Sequence, residues 1–182
     1  MRHNTMQTPQ SRAIHKRRAV LIGLPALGLA ALTGCGFKLR ESQDFAFKTI
    51  ATTFAEASLL GIEFRRTMEF NDGVRVLTGA QSLDSAQVVL QITNDVREKT
   101  VVGVNSSGGV REFALRVRLK FILRTPQGKE LIPETELLLQ RDVSFNETAV
   151  LSKEAEEGLL YANMQTDLVQ QLMRRLAAVK SL

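Results

Sequence analysis

The chain has 182 residues, 44% of them hydrophobic, enough to bury one domain-sized core. Its two histidines, His3 and His15, and its net charge of +5 lie at the N-terminal end, ahead of the only cysteine, Cys35. The chain beyond Cys35 therefore has no histidine, which excludes His-based general acid–base chemistry, His-dependent triads and His/Cys zinc sites. Carboxylate-only catalysis and oxygen-ligand metal sites survive that filter. However, no EF-hand spacing, P-loop, G-x-G-x-x-G or G-x-S-x-G is present, so no enzyme and no metal are expected.

In chain order, the first segment is basic (Arg12, His15, Lys16, Arg17, Arg18) and is followed by an apolar run over residues 19–32, interrupted by Pro25. A positive stretch, a short apolar core and small residues before a cut predict a signal peptide over residues 1–34. The run is shorter than the roughly 20 residues a membrane-spanning helix needs. Leu32-Thr33-Gly34-Cys35 resembles the lipobox of bacterial lipoproteins, which implies that Cys35 is acylated and becomes the first mature residue. The alternative is an ordinary cleaved signal that leaves a free thiol, an odd outcome for an exported protein with one cysteine. More than one acyl chain holds a protein firmly to a bilayer, and beyond this covalent lipid no cofactor is expected. In lipoproteins of diderm bacteria, Asp after the cysteine typically marks retention at the inner membrane. Gly36 stands there instead, which implies sorting to the periplasmic face of the outer membrane.

Cleavage removes five basic residues (Arg2, Arg12, Lys16, Arg17 and Arg18) and no acidic ones. The remaining 148 residues carry 19 Lys+Arg against 19 Asp+Glu, so charge gives no argument for a nucleic-acid partner.

Residues 35–44 read as a lipidated tether and residues 45–182 as a single domain. A first strand is expected within residues 45–53. Helical spacing comes next in Leu60, Phe64 and Met68, with Ser58 as N-cap and Asn71-Asp72-Gly73 as the stop. From residue 86 the period becomes two. Val88, Leu90, Ile92 and Val96 are placed on one face, and Gln91, Thr93, Asp95, Arg97 and Lys99 on the other. Asn105-Ser106-Ser107-Gly108-Gly109 reads as a hairpin turn. A second strand alternates Phe113, Leu115, Val117, Leu119, Phe121 and Leu123 with Arg116, Arg118, Lys120 and Arg124. After the turn at 125–129, a third strand runs over residues 131–145. A long helix over residues 152–179, capped by Ser152, repeats Leu160, Met164, Leu168, Leu172 and Leu176 every four residues. The expected fold is α+β, a four-stranded and mostly antiparallel sheet with two helices packed on one face.

The row Arg116, Arg118, Lys120 and Arg124 presents positive charges about 7 Å apart, a surface suited to an anionic ligand. Cross-strand pairing accounts for part of the row without any ligand, with Lys120 opposite Glu134 and Arg118 near Glu136. Arg116 and Arg124 have less obvious partners and are the better anion candidates.

Cys-Gly-Phe-Lys-Leu-Arg at 35–40 resembles the Cys-Gly-Phe-x-Leu-Arg start of mature lipopolysaccharide-assembly lipoproteins of the LptE (RlpB) family. Residues 149–156, Ala-Val-Leu-Ser-Lys-Glu-Ala-Glu, also resemble that family's approach to its last helix. The resemblance implies a non-enzymatic protein that plugs an LptD-type outer-membrane barrel, assists its assembly and binds lipopolysaccharide in transit to the cell surface. Lys153 matches a family lysine implicated in lipopolysaccharide contact. The family's other cationic contact sits in the first sheet hairpin, whose tip here (105–109) carries no basic residue. Charge from Arg111 or from the strand row, Arg116 and Arg124, would take its place. The alternative is a scaffold subunit of another outer-membrane assembly machine.

Overall fold

The computed structural model describes residues 43–71, 73–79 and 82–182. The expectations about the export signal, Cys35 and tether residues 35–42 lie outside them. The elements are β1 (Thr49–Thr52), α1 (Leu59–Glu69), β2 (Arg75–Leu77), α2 (Ser82–Ser85), β3 (Val88–Val104), β4 (Val110–Arg124), β5 (Glu130–Ser144) and α3 (Val150–Ala177). They form one sheet in the order β2-β1-β3-β4-β5, in which β1 runs parallel to both neighbours and β3-β4-β5 is an antiparallel meander. The sheet is therefore five-stranded and mixed, where the sequence suggested four mostly antiparallel strands. The unforeseen strand, β2, has only three residues, too few to show a period. It exists because α1 carries the chain back to lie beside β1.

The helix α1 begins where Ser58 caps it, its Oγ accepting from the Gly61 N–H at 2.9 Å. It buries Leu60, Phe64 and Met68. Gly61 looks like a weak point in the first turn, since glycine costs a helix about 1 kcal/mol against alanine. Packing explains it. A Cβ at residue 61 would lie 2.7 Å from Phe54 Cβ and 2.9 Å from its Cγ, so the bare backbone makes room for Phe54. That ring in turn lies 5.9 Å from Phe64.

Val88, Val89 and Leu90 are all buried, in contrast to the alternation seen further along β3. Both sheet faces are covered there: α1 lies over one, and α2 packs against β1. Both hairpin turns fall where predicted. Asn105 Oδ1 accepts from the Ser107 and Gly109 N–H groups, and Gly108 and Gly128 take positive φ. β5 is an edge strand and tolerates Pro133 for that reason.

One residue changes the faces of β3. Ile92 pairs with Phe121 and Asn94 with Lys120, so Thr93 is an extra residue, a β-bulge. Before it, Val88, Leu90 and Ile92 face the helices. After it, Asp95, Arg97 and Lys99 pair with Leu119, Val117 and Leu115 and share the helix-side face, while Val96 pairs with Arg118 on the open side. The expected grouping of Val96 with Leu90, and of Arg97 with Gln91, is thus reversed beyond residue 93.

The second large helix, α3, places Met164, Leu168, Val169, Leu172, Met173 and Leu176 in the common core with β4 and α1. It begins at Val150, two residues ahead of the expected Ser152 cap. A 3-10 turn, Glu147–Ala149, leads into it, and Asn146 caps that turn by accepting from the Thr148 N–H at 3.0 Å. Ser152 Oγ instead donates to the Ala149 carbonyl. Among the described residues, no helix is long and apolar enough to cross a membrane.

Gly61→Ala is expected to destabilise the domain by about 1–3 kcal/mol, the range for overpacking, despite alanine's higher helix propensity. Urea unfolding followed by circular dichroism measures this; an unchanged or raised midpoint would show that Phe54 yields freely.

Candidate functional site

The row Arg116, Arg118, Lys120 and Arg124 of β4 lies on the open face of the sheet, and the register shows what meets it. Cross-sheet rows run Asn94-Lys120-Glu136, Val96-Arg118-Leu138 and Glu98-Arg116-Gln140. Arg118 reaches Glu136 at 3.0 Å and Glu98 at 3.7 Å, and Lys120 reaches Glu136 at 3.3 Å. The expected Lys120–Glu134 pair does not form. Irregularities between Phe121 and Arg124 move the register by two residues, bringing Glu136 opposite Lys120. Glu134 accepts from the Thr93 hydroxyl of the bulge instead. A two-residue shift preserves which side chains face out, so only the partners change. Arg116 donates to Gln140 Oε1 at 2.8 Å and has no carboxylate partner among the described residues. Arg124 lies near the far end of β4, its Nε buried without an acceptor. The middle of the row, Arg118 and Lys120, is thus neutralised by Glu98 and Glu136, and the row is no continuous cationic rail.

A second constellation lies on the helix side of β3, where the bulge delivers Asp95, Arg97 and Lys99. Asp95 accepts from the Ser58 hydroxyl at the start of α1. The Arg97 guanidinium sits 5.1 Å from the Tyr161 ring centre, and the Lys99 ammonium 4.3 Å from that of Phe113. Lys99 also pairs with Glu157 at 2.5 Å, and the Tyr161 hydroxyl donates to the Glu98 carbonyl at 2.9 Å. These contacts pin α3 over the distal half of the sheet.

Lys153, in the first turns of α3, donates to Glu156 at 2.8 Å and to Ser144 Oγ, at the end of β5, at 3.3 Å. Ser144 pairs with Glu112, one residue from Arg111. Arg111 is exposed and has no ion pair among the described residues. Lys153 and Arg111 therefore share one end of the sheet. Arg124 is thirteen residues along β4 from Arg111, about 44 Å at strand rise. The candidates from the sequence thus fall into separate places. The alternation read from the sequence put Arg97 and Lys99 on the wrong face and left Tyr161 a packing residue; the polar triplet Thr93-Asn94-Asp95, which breaks that alternation, was the available signal.

The sequence profile of the LptE family, described as lipopolysaccharide-assembly, matches residues 47–176. The chain belongs to the LptE family. Similar solved structures agree with this. The solution structure of an uncharacterized lipoprotein B from Nitrosomonas europaea is 31% identical with a TM-score of 0.67, over 79% of this chain and 91% of that one. At 19% identity, the rare lipoprotein B of Shewanella oneidensis (TM-score 0.59, 72% and 95% covered) and a minor lipoprotein of Acinetobacter baumannii (TM-score 0.58, 74% and 94% covered) share the fold.

Within this LptE domain, no group of three His, Cys, Asp or Glu side chains able to hold a metal occurs among the described residues. Partial burial raises the Tyr161 pKa, the Glu157 carboxylate adds to the rise and Arg97 opposes it. The folded phenol thus holds its proton where the unfolded one has lost it. Stability from this group is fully present below the ordinary tyrosine value and is lost as pH rises through the folded one.

Tyr161 is the only tyrosine, so phenolate absorbance follows it alone. Its midpoint is expected above the ordinary value, lower in Glu157→Gln and higher in Arg97→Ala; a wild-type midpoint at the ordinary value would contradict the packing under α3.

Proposed function

We propose that this protein is an outer-membrane lipoprotein, anchored at the periplasmic face through acylated Cys35, that occupies an LptD-type barrel, assists its assembly and binds lipopolysaccharide during export. It acts by fitting into a partner, without catalysis. The observation that carries this reading is the family match across residues 47–176, nearly all of the folded domain. The charge pattern supports it. A barrel lumen is polar, and a sheet face on which Arg118 and Lys120 pair with Glu98 and Glu136 suits such a wall.

Lipopolysaccharide carries phosphates, for which Arg and Lys are apt donors. Lys153 and Arg111 are the primary candidates because they share one end of the sheet and Arg111 has no ion pair among the described residues. Arg116 is second, held by Gln140 on the open face, and Arg124 is too distant to join the same headgroup.

From detergent-solubilised envelopes the protein should co-purify with a large β-barrel, and its depletion should remove lipopolysaccharide from the cell surface. The double variant Lys153→Glu/Arg111→Glu is expected to weaken lipopolysaccharide binding about tenfold or more while keeping the barrel. Losing the partly exposed Lys153–Glu156 pair costs folding about 1 kcal/mol. Crosslinks to the components of another outer-membrane assembly machine, with normal lipopolysaccharide export on depletion, would replace this reading.

A further inference from the structure

At the end of the sheet opposite the β3–β4 turn, several parts of the chain converge. The Lys48 N–H, at the entry to β1, donates to Gln87 Oε1 at 2.5 Å, and the Gln87 N–H to Thr49 Oγ1 at 2.9 Å. Gln87, Lys129 of the β4–β5 turn and Leu182 line one cleft, while Arg175 and Lys180 line another with Leu131 and Ile132 of β5. The Lys48 ammonium lies by the turn after α1, where a Cβ on Gly73 would be 3.6 Å from it. Phe70, just past the end of α1, is 91% exposed. Lys48, Lys129, Arg175 and Lys180 are all exposed, and none has a carboxylate partner among the described residues. Asp44, Glu69 and Glu130 adjoin this end without pairing to them. The dipole of α3 favours Arg175 and Lys180 near its end. It does not account for Lys48 and Lys129, which belong to other elements, or for an exposed phenyl ring.

The chain also enters the domain here. The Gln43 N–H donates to Asn71 Oδ1 at 3.2 Å, next to Phe70. Gln43 is eight residues on from Cys35, and a chain of that length reaches about 28 Å even when fully extended. Acyl chains on Cys35 would therefore confine this end, more than any other, to the neighbourhood of the bilayer. Anionic headgroups attract each nearby Lys or Arg by about 1 kcal/mol, within a Debye length of the surface. A phenyl ring beside such cations suits the boundary between headgroups and acyl chains. We propose that, before it joins a barrel, the lipoprotein rests this end on anionic phospholipid of the leaflet that holds its anchor. Lys48, Lys129, Arg175 and Lys180 meet the lipid phosphates, and Phe70 enters the acyl boundary. The inference rests on the reading of Cys35 as acylated and adds which end of the domain the membrane holds.

The chain has no tryptophan, so Phe70→Trp in the full-length lipoprotein reports on this end alone. The protein is reconstituted without a barrel into phosphatidylcholine vesicles with or without phosphatidylglycerol. With phosphatidylglycerol the indole emission is expected to shift to the blue and to be quenched by brominated acyl chains. Without it, or in high salt, the quenching should fall about fivefold or more. Adding Lys48→Gln/Lys129→Gln/Arg175→Gln/Lys180→Gln should cause the same loss on anionic vesicles, and Lys129→Glu alone serves if the quadruple variant misfolds. Equal quenching on both vesicles, or unchanged quenching in the folded charge variants, would overturn the proposal and leave the anchor standing. Charge variants that keep their quenching but lose the barrel would assign this end to the protein partner and overturn it too. A bare Cys35 thiol in the mass of the native product would instead defeat the acylation reading, and this inference with it.

Discussion

The insertion of Thr93 into β3 decides what the two sides of the distal sheet are made of. Side chains alternate with a strict period of two, so one added residue exchanges the faces of everything beyond it. Without the bulge, Val96 would point at α3, and Arg97 and Lys99 would join the already crowded charges around Arg118. With it, the two cations lie against aromatic rings under the helix, and Val96 flanks the stem of Arg118. Arg118 and Lys120 are left to the carboxylates of Glu98 and Glu136.

Element lengths explain why the exchange is needed. α1 has eleven residues and spans about 16 Å, whereas the seventeen residues of β3 extend over roughly 56 Å. The short helix covers only the start of the strand, where Val88, Leu90 and Ile92 are apolar. Beyond its reach, an apolar helix-side face would stand half in water. Asp95, Arg97 and Lys99 are suited to that border, each engaging an element at its rim: Ser58 ahead of α1, then Tyr161 and Glu157 on α3.

Much of this was legible in the residues. The four-residue repeat of Leu160 to Leu176 located α3, the alternation from Phe113 to Leu123 defined β4, and Ser58 and Asn105-Ser106-Ser107-Gly108 marked a cap and a turn. The parallel strand β2 was not legible, because Arg75-Val76-Leu77 carries no period and its stability comes from pairing with β1. The register of β5 was not legible either, since irregularities near Leu123 slide Glu136 to Lys120 without altering the pattern of faces. For the site, the resemblance pointed to Lys153, whereas its proximity to the end of β5, and hence to the neighbourhood of Arg111, comes only from the folded contacts.

The outer border of β5 has a consequence for how such a domain associates. Pro133 withholds a main-chain donor there, and Glu130, Glu134, Glu136, Arg141 and Asp142 crowd the same strand with ionic groups. An extended peptide finds that rim a poor template for annealing. A module with such a rim can work beside other β-structure without being zipped into it along β5.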